Sequence, residues 1–152
     1  PVLWAKENQL TSDSMAIFTK NRQADKIELY NSAFIASQVD SLRFNQIKGR
    51  SLTGYLRDNE LYKIEINGNG ESITYLIDGD EIVGVNTARC ARIEIFIEDS
   101  KIRDIFEYQN PDGVIDPPTS SPQTDKRLDG FSWFDYLRPK KMEDIYFSAD
   151  EK

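Results

Sequence analysis

Histidine is missing altogether from this chain of 152 residues. Ser-His-Asp and Cys-His nucleophile activation are thereby excluded, and the commonest metal ligand goes with them. Any catalysis would fall to carboxylates, Lys or Tyr. Cysteine is almost as scarce: Cys90 stands alone and cannot close an internal disulfide, so it reads as a small buried residue. No apolar stretch approaches the roughly 18 residues of a membrane-spanning helix. Positive charge is in deficit, with 19 Lys and Arg against 26 Asp and Glu, a net charge of −7 and a pI near 4.7. That balance argues against nucleic acid as a partner, because phosphate binding draws on clustered cations. The chain opens at Pro1 with no basic-then-apolar leader. The expectation is a fragment or processed form whose targeting segment lies outside it.

What is present is a β-hairpin phrase written three times, over residues 14–27, 51–64 and 92–105. In each copy an alternating strand runs into a polar turn, Asn21-Arg22, Asp58-Asn59 or Asp99-Ser100. An apolar residue, Ala24, Leu61 or Ile102, then opens the return strand. A spacing of about 40 residues is the mark of stacked repeats, which bind along surfaces. Superposing the copies assigns faces. One face carries Met15, Leu52 and Ile93, then Ile17, Gly54 and Ile95, then Thr19, Leu56 and Ile97; the other carries the row Phe18, Tyr55, Phe96. The return strands add Ile27, Ile64 and Ile105, then Leu29 and Ile66, to the first face, which is read as the interior. Glu107 breaks the third copy, and the expectation is that its strand ends early.

Residues from about 10 to 110 therefore predict an all-β domain of antiparallel strands. Asp78-Gly-Asp80 reads as a hairpin turn, and Asn67-Gly-Asn-Gly70 as a turn or a bulge that bends a long strand. Asp78-Gly-Asp80-Glu81 lacks the further ligands of a calcium loop, so no metal or other cofactor is expected. The composition breaks at Pro111-Asp-Gly113 and through the Pro-rich run from Asp116 to Thr124. The chain divides into a β domain over 1–115 and a linker with an aromatic extension over 116–152. Phe131, Trp133, Phe134 and Tyr136 are expected to plug one end of the β core or, failing that, to dock a partner. Pro139 to Tyr146 reads as a short helix. The carboxylates fall at turns and on the solvent face, and no catalytic residue is assigned.

Phe44-Asn-Gln-Ile-Lys-Gly-Arg-Ser-Leu-Thr-Gly-Tyr55, with Asp58-Asn-Glu-Leu-Tyr-Lys-Ile64 and Asn67-Gly-Asn69, resembles the OstA-like family, relatives of the LptA proteins of periplasmic lipopolysaccharide transport. The opening Pro1-Val-Leu-Trp-Ala5 and the late Gly130-Phe-Ser-Trp133 resemble that family too. The resemblance implies an antiparallel, twisted, V-shaped β-jellyroll of stacked hairpins with a short C-terminal extension. It also implies a periplasmic, non-enzymatic role in outer-membrane biogenesis. The implied ligand is lipopolysaccharide, its lipid A acyl chains lying along Met15, Ile17, Ile27, Leu29, Leu52, Leu56, Ile64, Ile66, Ile93, Ile95, Ile97 and Ile105. Other jellyrolls of the transport system, or a head-to-tail homo-oligomer, would join by edge-strand addition. From alternation alone the interior is compatible with a groove or with a filled sandwich core, and an edge-binding envelope module without lipid is the alternative function.

Overall fold

The computed structural model describes residues 1–99, 101–108, 112–117 and 126–139. Among these residues nine antiparallel strands make one open sheet: β1 Val2–Ala5, β2 Asn8–Thr11, β3 Ser14–Lys20, β4 Gln23–Gln38, β5 Phe44–Arg57, β6 Glu60–Asp78, β7 Glu81–Glu98, β8 Lys101–Tyr108 and β9 Asp112–Asp116. The order is β1-β2-β4-β5-β6-β7-β8, with β3 paired to β4 and β9 to β7. The all-β class expected from alternation, in the jellyroll-like form that the resemblance implies, is what the chain adopts, and among the described residues there is no α-helix, only a 3-10 turn at Asp135–Leu137. The expected helix after Pro139 lies outside the described residues.

The repeated phrases form hairpins because their tips tolerate left-handed backbone. Asn21 and Arg22 have φ of 53° and 64°, and Asp58 and Asn59 have 53° and 63°. Positive φ at both tip residues gives the type I′ turn, whose twist matches that of the flanking strands.

β4 to β7 are far longer than ordinary strands, and each bends in the middle. β4 bends at Asn31-Ser32, where φ is 60° and 53°; β5 slips register between Lys48 and Ser51; β6 slips between Asn67 and Gly70. Asn67-Gly-Asn-Gly70 is thus the strand-bending bulge, with Gly68 at φ 82°. Gly49 has no room for a side chain, since a Cβ there would run into the Ile66 methyl. Aligned across three neighbouring strands, these irregularities form a crease that folds the sheet into two limbs. The repeat limb holds β3, the first half of β4, the second half of β5, the first half of β6, the second half of β7, and β8. The strapped limb holds β1, β2, β9 and the remaining halves.

The core lies between the limbs. In the repeat limb the register stacks Met15, Leu29, Leu52, Ile66 and Ile93 in one row and Ile17, Ile27, Gly54, Ile64, Ile95 and Ile105 in the next. Ala5, Leu10, Ala33, Ile35, Ile47 and Cys90 of the strapped limb complete the cluster. Two expectations fail. β8 does not stop before Glu107: that residue pairs with Ile93 in the interior row, because a ladder on one side carries the strand past a single unfavourable side chain. And Asp112–Asp116, expected as a break, pairs with Val85–Arg89 as edge strand β9, which needs only one partnered side to form.

Candidate functional site

The twelve residues proposed from alternation as a lipid lining end up mostly against one another. Ile27, Leu29, Leu52, Leu56, Ile64, Ile66, Ile93, Ile95 and Ile97 are buried, and six of these are 1% exposed or less: Leu29, Leu52, Ile64, Ile66, Ile93 and Ile95. Met15 and Ile105 are half-buried, and Ile17 on edge strand β3 is 52% exposed. At the mouth of the V, away from the crease, the limbs part.

There a cleft of about 620 Å³ opens between the limbs. Its two walls differ in chemistry. β8 supplies Ile102 and Ile105 on one side, with Lys101 and Arg103 at the rim; the strapped limb supplies Ser37, Asn45, Thr74 and Asn86, with Leu76 and Ile77 beyond them. Period-two alternation places those four polar side chains on the core-facing side of their strands, and Asn45 is fixed there by accepting the Tyr75 N–H at 2.9 Å. Among the described residues the Thr74 hydroxyl is buried without a hydrogen-bond partner, as is that of Ser72 deeper in the same row. A buried hydroxyl left unpaired costs about 1–3 kcal/mol, so the wall is disposed to accept a polar group. Elsewhere along the mouth, Lys6 of the β1–β2 turn pairs with Glu60 at the start of β6 and ties the limbs together.

Glu107 lies on the inner side near the crease. Burial pushes its carboxyl above the ordinary carboxylate range, and burial, with Glu107 nearby, pushes the Cys90 thiol up. The Cys90 thiol donates to the Arg92 carbonyl at 3.2 Å, so the cysteine is the small buried residue expected and its thiol stays protonated at neutral pH.

The outer face of the repeat limb is a cross-strand lattice. The row Phe18, Lys26, Tyr55, Lys63, Phe96 alternates ring and ammonium, with Lys26 4.6 Å from the Phe18 ring and Lys63 5.6 Å from Tyr55 and 5.8 Å from Phe96. In the adjoining row Glu65 and Glu94 stand opposite each other. Lys63 lies 3.2 Å from both, and Arg92 3.6 Å from both. This acidic pair faces outward and is neutralised by Lys63 and Arg92.

The outer face of the strapped limb is covered instead. The aromatic extension does not plug an end of the core. It lies across this face, held by Trp133 against Trp4 at 5.0 Å and Phe44 at 4.9 Å and by Phe131 against Phe44 at 5.0 Å. Gln9 and Gln46, both fully buried, bond to its backbone. Sequence reading missed these glutamines and the polar wall of the cleft. The sequence carried no signal for the glutamines: Gln9 lies between buried Asn8 and Leu10 and Gln46 between half-buried Asn45 and buried Ile47, an environment that exists only once the outer face is covered.

Among the described residues no helix is long and apolar enough to cross a membrane. No protein-family model matches this chain, and no curated protein matches it.

Proposed function

We propose that the protein is a non-enzymatic periplasmic carrier of lipopolysaccharide-type amphiphiles, acting in outer-membrane assembly. The single observation that carries this reading is the cleft: the limbs of the V part at the mouth, and the gap leads from the rim cations Lys101 and Arg103 past Ile102 and Ile105 toward the apolar interior. Its volume falls within the roughly 300–1,000 Å³ of ligand pockets. An acyl chain would lie against the isoleucines of β8, with an anionic head at the rim. Longer cargo would need the limbs to separate and expose Ile97 and Ile95. Protomers or related jellyrolls would join along edge strand β3, whose Ser14–Lys20 carries one charged residue and exposes Ile17 and Phe18; β8 at the opposite edge is guarded by Lys101, Arg103, Asp104 and Glu107.

The closed packing of the repeat-limb interior favours a second reading, an envelope module that binds partners by strand addition and carries no lipid. One experiment separates the two. Protein purified from its native membrane fraction is extracted and its lipids are identified by mass spectrometry, alongside photo-crosslinking from positions 95 and 105. Recovered lipopolysaccharide, with adducts at 105 stronger than at 95, supports the carrier. Protein free of lipid, with no adduct from either position, leaves the edge-binding module.

A further inference from the structure

Strand β6 places two hydroxyls on the core side of the strapped limb, and the fold gives neither a partner. Ser72 stands opposite Ile47 and Ala88 in the sheet, and Thr74 stands opposite Asn86. Ser72 is fully buried and Thr74 is 5% exposed; among the described residues neither hydroxyl has a hydrogen-bond partner. Valine has the shape of threonine and suits a strand as well, without the penalty of an unpaired buried oxygen. The Thr74 hydroxyl therefore adds nothing to the fold of the unliganded chain. Thr74 also lines the cleft, and rotation about χ1 exchanges its hydroxyl and its methyl.

Its neighbours on that wall define what it could meet. Asn45 commits its carboxamide oxygen to the Tyr75 N–H at 2.9 Å, which leaves Nδ2 to donate. The Asn86 carboxamide has no partner among the described residues and can both donate and accept. Ile102 and Ile105 on the facing wall offer no polar atom. A ligand that satisfies both walls is an apolar chain bearing one group that accepts from Asn45 and donates to Thr74 or Asn86. A hydroxyl does both through one atom, whereas an ester carbonyl only accepts. A charge at that depth would lie against isoleucine at a high cost in lost hydration. It belongs at the rim, where Arg103 is already held by Asp104 and Glu98, and Lys101 has no carboxylate partner among the described residues. The remaining charge on the lining, Glu7 of the β1–β2 turn, repels an anion. We infer that, given the carrier role proposed above, the cleft selects a hydroxylated acyl chain, its anionic head on Lys101 and its hydroxyl on the row of Asn45, Thr74 and Asn86.

The test is calorimetric titration of the full chain with tetradecanoic acid and with its derivatives hydroxylated on the second, third or eighth carbon, each below its critical micelle concentration. At least one hydroxy acid should bind about tenfold tighter than the plain acid, the worth of one net hydrogen bond. Thr74→Val should bring that ratio to about one, and Asn86→Leu should lower it. Lys101→Gln should weaken every acid and keep the ratio. Plain and hydroxylated acids bound with equal affinity overturn the selectivity and leave the carrier standing. Binding of none of the acids overturns the carrier reading and the selectivity with it. A preference that survives Thr74→Val and Asn86→Leu combined also overturns the inference, since the polar row would not be its source. The ranking of the acids is measured on the unsubstituted chain and so stands whether or not a variant folds.

Discussion

The two limbs share four strands and one core, yet they finish their outer faces in opposite ways. The repeat limb leaves its outer face to solvent and covers it with a lattice of Lys26, Lys63 and Arg92 among Glu28, Glu65 and Glu94, capped by the rings of Phe18, Tyr55 and Phe96. The strapped limb makes its outer face apolar with Trp4, Phe34 and Phe44 and covers it with its own C-terminal segment. A one-sided sheet needs only the first device; a sheet buried on both faces needs a third layer. The difference predicts that damage to the shared core reaches both limbs, damage to the strap reaches one, and damage to the lattice reaches almost nothing.

Ile95→Ala should have the largest effect. Ile95 is fully buried between Ile64 and Ile105, and truncating a buried isoleucine costs about 2–5 kcal/mol. Urea unfolding should show the loss, and amide exchange should quicken in both limbs together. Faster exchange confined to the repeat limb would show that the crease separates two independent units and would break the shared-core comparison.

That contrast also explains what was legible in the sequence. In the repeat limb, Lys26-Ile-Glu-Leu29 and Arg92-Ile-Glu-Ile-Phe-Ile97 alternate cleanly because one face meets water, so faces and register could be assigned residue by residue. In the strapped limb Ala33-Phe-Ile-Ala36 is buried at all four positions. Alternation vanishes there, and the inner row of Ile35 and Ile47 could not be told from the outer row of Phe34 and Phe44. The crease was visible at one strand only, in Asn67-Gly-Asn-Gly70; at β4 it is made by Asn31-Ser32, which carry no glycine. The cleft was illegible because Asn45, Thr74 and Asn86 come together only through the folding of β5, β6 and β7, while Ile102 and Ile105 arrive from β8 on the other limb.

Gln46→Ala should come second and should act on the strapped limb alone. It leaves the Leu128 N–H and the Lys126 carbonyl without their partner at a buried position, worth about 1–3 kcal/mol. Trp133 fluorescence should shift toward that of an exposed indole while strand circular dichroism is retained. An unfolding midpoint lowered as far as in Ile95→Ala would mean that the strap is part of the cooperative core.

Glu107 is the place where the repeat limb breaks its own rule, and Glu107→Gln should stabilise the protein modestly at neutral pH. Burial raises the folded-state value of this carboxyl above its ordinary 4.5. The folded protein therefore binds the proton more tightly than the unfolded chain, and the stability linked to that proton is present below the ordinary value. It is lost as pH rises through the folded one. The unsubstituted protein should lose stability relative to the Gln variant as pH climbs from 4.5, with the gap constant once the carboxyl is ionised in both states. Parallel pH profiles would place Glu107 in a solvated position and close the interior row at Ile105.

Tyr55→Thr should have the smallest effect and puts the sharpest question to the comparison. Tyr55 stands at the middle of the outer row, between Lys26 and Lys63, and donates to Glu65 at 3.4 Å. A cross-strand pair of this kind contributes about 0.2–1 kcal/mol, and Thr retains strand propensity at the site. The expected outcome is a loss at the low end of that range in urea unfolding, with Trp133 fluorescence unchanged. The reason is geometric: Tyr55 points away from the core, its neighbours keep their carboxylate partners, and water replaces the ring at little cost. A loss as large as that of Gln46→Ala would mean that the solvent-facing lattice is as binding as the buried strap, and the contrast between the limbs would then rest on composition and not on energy.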